Sequence, residues 1–229
     1  MYFDAFGKAT LKPRWHVLWL LCLIFCFHLP GSAQEAATVT FTFDFPGSEP
    51  SHYSIAVSSD GHATYQSDGR LSPQSEDDSF RLDFTMSQPT RTHIFELAKR
   101  ARYFAGDIDS RKKGLASTGT KILAYKDTRR NAQATYNYSP LPAVQELTGL
   151  FQNVASTLEF GRRLEYYHRY QKLALDDELK RMEEMQKQNS LEELGAVAPI
   201  LQRISADASV INVVRARAQR LLESGSTKK

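Results

Sequence analysis

From Thr38 to Phe45 the chain alternates between polar and apolar residues, with Val39, Phe41, Phe43 and Phe45 at every second position. A period of two places all four on one face of a β-strand. Pro46, Gly47 and Pro50 end that strand. Tyr53, Ile55 and Val57 then alternate, and after Ser59-Asp60-Gly61-His62 so do Ala63 and Tyr65. Asp-Gly between two alternating runs predicts a hairpin, because glycine accepts the positive φ of a tight turn. Phe80, Leu82, Phe84 and Met86 mark a further strand beyond the polar stretch 72–79.

The period then changes. Over Ser87 to Phe104, Ile94, Leu97, Ala98 and Ala101 share one helical face, Ser87 can cap, and Pro89 suits the first turn. Lys121 to Lys126 and Ala132 to Tyr138 predict a second antiparallel pair about a turn at Asp127 to Asn131. Pro140 and Pro142 open a helix with a core stripe of Leu141, Val144, Leu147, Phe151, Val154 and Leu158. Beyond Phe160 the pattern is helical throughout: Arg162 to Leu173, Asp176 to Gln188, Leu191 to Ile204 and Asp207 to Glu223, with Asp176 and Asp207 expected as N-caps. The predicted fold class is α+β: an antiparallel sheet with two packed helices, followed by an all-helical C-terminal region. The expected division is a leader over 1–33, a sheet domain over 34–158, a helical region over 159–224 and a disordered tail over 225–229.

The leader is read from its own pattern. Lys8, Lys12 and Arg14 precede an unbroken apolar run from Val17 to Phe27. Such a run suits a signal peptide and falls short of the ~20 residues that cross a bilayer as a helix. Pro30 and Gly31 break it, and Gly31-Ser32-Ala33 offers small residues for cleavage before Gln34. The expected location is secreted or periplasmic. An uncleaved signal anchor is the alternative, and the only expected contact with a membrane.

Composition adds two consequences. Both cysteines, Cys22 and Cys26, lie in the leader, so a cleaved chain has no disulfide, thiol nucleophile or cysteine-held metal. Of 229 residues, 29 are Lys or Arg and 26 Asp or Glu; without the leader 26 basic residues face 25 acidic ones. That balance argues against nucleic acid as a partner, since phosphate neutralisation needs clustered excess cations.

Tests for chemistry fail for specific reasons. Gly114 to Lys121 partly matches a phosphate-binding loop, but Thr120-Lys121 reverses the required order and a strand follows. Asp107-Ile-Asp109 resembles the start of a calcium loop, yet Arg111 occupies the next ligand position. His52, His62, His93 and His168 show no metal-binding spacing and read as solvated residues. Ser110 to Lys113 has Ser-x-x-Lys spacing outside any helix, and no Gly-x-Ser-x-Gly is present. Glu76-Asp77-Asp78 reads as a solvated hairpin or linker, and Asn137-Tyr-Ser139 is a glycosylation triplet followed by Pro140. No cofactor or metal site is expected.

One surface stretch stands apart. Arg162, Arg163, Tyr166, Tyr167, Arg169 and Tyr170 gather cations and tyrosines on one helix. Tyrosine gives a rigid contact face and arginine a fork for carboxylates, so the stretch suits a partner protein or an anionic glycan. The competing account is an amphipathic helix whose Leu164 and Tyr167 pack inward while the rest snorkel.

Tyr53 to Val57 (Tyr-x-Ile-x-Val), Asp60-Gly61, a strand ending in Tyr65 and a helix closing on Tyr103-Phe104 form a layout that resembles small secreted bacterial domains of unknown function. The likeness covers Thr38 to Leu158; those domains carry Cys-x-x-Cys where this chain has Ser48 to Ser51. Leu201, Ile204, Asp207, Val210, Val214, Arg215 and Ala218 resemble a HEAT-type helix pair, and a single pair cannot form a solenoid. Neither resemblance supplies a catalytic residue. The expected role is therefore an exported, non-catalytic interaction or structural module of the cell envelope. The alternatives are a glycan or small-ligand binder with a pocket between sheet and helices, or an envelope hydrolase using a carboxylate pair that sequence cannot locate.

Overall fold

The computed structural model describes residues 36–71 and 78–227. The expected leader with Cys22 and Cys26, Glu76 and Asp77, and the last two lysines lie outside these residues. The chain is α+β, with a six-stranded antiparallel sheet followed by helices.

The strands are β1 (Thr38–Asp44), β2 (His52–Ser58), β3 (His62–Gly69), β4 (Asp78–Thr85), β5 (Thr120–Lys126) and β6 (Asn131–Tyr136), in the order β4-β3-β2-β1-β5-β6. The helices, in chain order, are α1 (Gln88–Arg100), α2 (Pro142–Tyr170), α3 (Leu175–Lys187), α4 (Ala198–Ala206) and α5 (Asn212–Thr227).

The alternation read from the sequence becomes a register. Phe41 pairs with Ile55 and Leu123, Ile55 pairs with Tyr65, and Tyr65 pairs with Leu82, which makes one row across the buried face. The row to one side holds Val39, Val57, Ala63 and Tyr125, all buried. The row to the other side is Phe43, Tyr53, Ser67, Lys121 and Tyr136, so a serine and a lysine stand where the pattern calls for apolar groups. Helices α1 and α2 cover this face through Ile94, Leu97, Ala98, Val144, Leu147, Phe151 and Val154. Phe41 and Phe151 stack nearly parallel, with centroids 5.3 Å apart.

Four local expectations change. The first helix ends at Arg100 with Ala101 as its C-cap, because Arg102, Tyr103 and Phe104 all take positive φ (53°, 55° and 63°) and turn the chain left-handed. Packing holds that turn: Phe104 is buried, Tyr103 lies 4.6 Å from Tyr125, and the Arg130 guanidinium covers the Tyr103 ring. The two helices expected on either side of Glu159 to Gly161 are a single helix, α2, which runs 29 residues through that point. Asp176 lies in the first turn of α3 rather than capping it, and Asp207 closes α4 and folds the 207–210 turn, with Ser209 N and Oγ donating to its Oδ1. The helix expected from Leu191 shortens to α4, since Glu193 is left-handed (φ 58°), Leu194–Val197 is a tight 3₁₀ turn, and Pro199 sits in the first turn of α4.

The second half of α2 carries the helical C-terminal region. Leu164, Leu175, Leu179, Met182, Val197, Leu201, Ile204, Val214 and Ala218 are buried in a core continuous with that of the sheet. Gly161 permits the closest approach: a Cβ there would meet Val197 Cγ1 at 2.5 Å. Residues 36–227 lie within one compact unit, and helix α5 continues to Thr227, into the stretch expected as a tail. No helix among the described residues is long and apolar enough to cross a membrane.

Candidate functional site

The cation–tyrosine stretch occupies the last turns of α2, and the fold divides it. Arg162 points inward, only 6% exposed. Its Nη2 donates to the carbonyls of Gly69 (3.0 Å) and Asp78 (2.9 Å), and its guanidinium covers the Phe80 ring. It therefore closes the β3–β4 end of the sheet. Arg163 is half-buried, with Nε donating to the buried Glu178 at 2.5 Å. Tyr167 packs against the core. Tyr166, Arg169 and Tyr170 remain near solvent: the two tyrosine rings lie 5.3 Å apart, and Arg169 covers the Tyr170 ring at 5.2 Å.

Beside them Leu173 is 93% exposed and Tyr170 62%. The same end of the molecule is fixed by Asp207, which accepts hydrogen bonds from Lys172 (2.7 Å) and pairs with His168 (2.9 Å). The bonds from Lys172 and Ser209 hold the Asp207 carboxyl well below its ordinary range.

A second constellation lies between the sheet and the helices. On α2, Gln152, Ser156, Glu159 and Arg163 fall at i, i+4, i+7 and i+11, a polar stripe beside the apolar one. All four line a cleft of about 410 Å³, together with Phe43, Tyr53, Phe160 and residues of the β1–β2 loop and α3. Glu159 is 7% exposed and anchors the inner end. Its Oε1 accepts from Tyr65 Oη (2.8 Å) and Ser67 Oγ (2.6 Å), and its Oε2 lies 3.8 Å from Arg162 Nη1. Burial and the Glu159 charge push the Tyr65 hydroxyl far above its ordinary value. Burial does the same to Tyr53.

Sequence reading did not single out Tyr53, Ser67, Gln152, Ser156 or Glu159 as a site. Two signals were available: the polar stripe at helical spacing, and Ser67 in the core-facing phase of β3.

The remaining candidates resolve into structural roles. Lys121 is 5% exposed, and its ammonium donates to the carbonyls of Thr118 (3.0 Å), Gly119 (3.2 Å) and Asn137 (3.0 Å) and to Thr118 Oγ1 (3.0 Å). It clamps the loop before β5, and burial lowers its pKa. Asp107 and Asp109 accept backbone N–H groups of Asp109, Arg111 and Asn137, which fixes the loop from within. The Asn137 amide is bonded to Ala116 and Thr118. Three histidines sit within 3 Å of one carboxylate each: His52 with Asp44, His93 with Glu146 and His168 with Asp207. Among the described residues no group of three or more His, Cys, Asp or Glu could hold a metal ion.

A scan against protein-family models and a search of curated proteins both find no match to the chain.

Proposed function

We propose that the chain is an exported, non-catalytic module of the cell envelope that binds a protein partner through the end of α2. Export rests on the leader pattern of residues 8–33. The binding reading is carried by one observation: Leu173 is almost wholly exposed, just beyond the exposed Arg169 and Tyr170 and the half-buried Tyr166. Ordering an apolar side chain in water at the end of a helix gains nothing for the fold, whereas aromatic, apolar and arginine groups together suit the centre of a protein interface. The same geometry weakens the anionic-glycan alternative. Arg162 and Arg163 are spent on internal contacts, so of the three arginines of that stretch Arg169, which covers the Tyr170 ring, is the exposed one.

Site-specific photo-crosslinking tests this reading. A photoreactive residue at position 170 or 173, in cells of the source organism, yields a discrete protein adduct, and one at the exposed Gln219 yields none. Absence of adducts from 166, 170 and 173 alike overturns it. Terminal sequencing of the native product tests export separately: a chain beginning at Gln34 is expected, and one beginning at Met1 in the cytosol overturns it.

A further inference from the structure

The cleft beneath the β1–β2 loop has the features of a ligand site distinct from the tyrosine-bearing end of α2. Tyr53 is only 5% exposed and lines the cleft, yet among the described residues its hydroxyl has no hydrogen-bond partner. A buried tyrosine hydroxyl ordinarily finds a partner. The hydroxyl is not sealed off either: among the described residues the only solvent-sealed side-chain atoms without partners are Gln186 Oε1 and Arg215 Nε. Tyr53 is among the residues that line the cleft. Gln152 and Ser156 line the same cleft, and among the described residues neither side chain has a hydrogen-bond partner.

These groups share the cavity with Glu159, whose Oε2 has, among the described residues, only the 3.8 Å approach of Arg162. The cleft thus presents an alcohol, an amide, a phenol and a carboxylate oxygen with bonding capacity to spare, beside apolar surface from Phe43, Phe160 and Met185.

The charges narrow the ligand. Arg163 and Arg181 both pair with Glu178 (2.5 and 3.5 Å), and the exposed Glu49 carboxylate lines the same cleft, so these two cations face two anions and no excess charge is left for an ionic ligand. Glu159 faces Arg162 and accepts from two hydroxyls, so its charge is already answered. What remains is hydrogen bonding of both senses against aromatic and apolar walls, in a volume of about 410 Å³ that suits a small molecule. From this geometry we infer that the cleft binds a neutral saccharide of one or two rings, with Tyr53, Gln152, Ser156 and Glu159 bonding its hydroxyl groups and the aromatic rings covering its C–H faces. Burial keeps the Tyr53 hydroxyl protonated at every physiological pH, so it serves as a donor.

Tyr53→Phe tests the site, because it deletes one oxygen that the fold does not use. The full-length protein is titrated by calorimetry and saturation-transfer NMR with glucose, galactose, N-acetylglucosamine, maltose and cellobiose; inorganic phosphate and spermidine serve as charged probes. The expected result is binding of at least one sugar and of neither charged probe. Affinity falls roughly tenfold in Tyr53→Phe, and melting of the unliganded protein is unchanged. Ser156→Ala, at a half-buried position of the stripe, weakens the same sugar in the same direction. Three results each overturn the inference: no sugar binds, the bound sugar has equal affinity for wild type and both variants, or phosphate or spermidine occupies the cleft in place of sugars. None of these bears on the α2 end, which crosslinking examines separately.

Discussion

Tyr65 on β3 and Glu159 on α2 lie 94 residues apart in the chain and meet through a 2.8 Å hydrogen bond between the sheet and the helix. Ser67 joins the same carboxylate oxygen, and Arg162, one helical turn beyond, links the other oxygen to the β3–β4 end. One buried carboxylate thus registers α2 against the sheet.

Glu159→Ala leaves two hydroxyls without their acceptor and the buried Arg162 without its charge partner. Removing one member of a buried ion pair costs about 3–5 kcal/mol. Glu159→Gln keeps an acceptor oxygen and is expected to lose about 1–3 kcal/mol. Urea denaturation gives both values, and equal stability of Glu159→Ala and wild type would refute the anchoring role.

Gly161→Ala brings a methyl within 2.5 Å of the buried Val197. The overpacking outweighs the better helix propensity of alanine, for an expected net loss of about 1–3 kcal/mol. Val197→Ala vacates that space, so the double variant should be more stable than the sum of the two single losses. A double-mutant cycle with no coupling would contradict the close approach.

Acid should loosen the α2–α4 corner through Asp207. Its carboxyl has a folded pKa below the ordinary 3.8, so the stability it lends is complete above pH 3.8 and drains away as the pH falls toward the folded value. Asp207→Asn lacks this contribution at all pH values, so its melting temperature should fall less steeply than that of wild type below pH 4. The difference should shrink in high salt, because the site is near solvent.

Lys121→Met removes the donor that four neutral oxygens share. The orphaned carbonyls of Thr118, Gly119 and Asn137 loosen the loop before β5, and the expected cost is about 1–3 kcal/mol. Trypsin should then cut at Arg111, Lys112 and Lys113 several-fold faster than in wild type. Unchanged cleavage would show that the loop is held by the Asp107 and Asp109 turns alone.

Arg102→Gly relieves an exposed side chain of its left-handed conformation, φ 53°. Glycine adopts that backbone without a Cβ clash, so the melting temperature should rise, by up to about 1 kcal/mol of stability. A lower melting temperature would mean that the Arg102 side chain contributes more than its backbone loses.

Each strand was legible because alternation is a local property: Val39, Phe41 and Phe43 share a face whatever they pack against. The interruption from Glu193 to Pro199 was less so, since Leu191 to Ile204 keeps a helical period although Glu193 turns left-handed. The left-handed run at Arg102–Phe104 had no signal at all, because none of the three is a glycine and tertiary contacts of Tyr103 and Phe104 hold the turn. For the tyrosine stretch, the sequence placed cations and tyrosines together on one helix but not at what depth each lies. Arg162 and Arg169 read alike in sequence, yet one is buried under the sheet end and the other exposed.

The α+β class, the strands, the sheet-covering helices and the helical C-terminal region are written in the chain, because each rests on periodicities that a few consecutive residues impose. Folding alone brings Glu159 to Tyr65 and Ser67, gives Arg162 a structural role, and gathers Tyr53, Gln152 and Ser156 around one cleft. Those relationships join residues up to about a hundred positions apart, and the packing of α2 across the sheet creates them. No local pattern encodes such distances; they exist only once the core has closed.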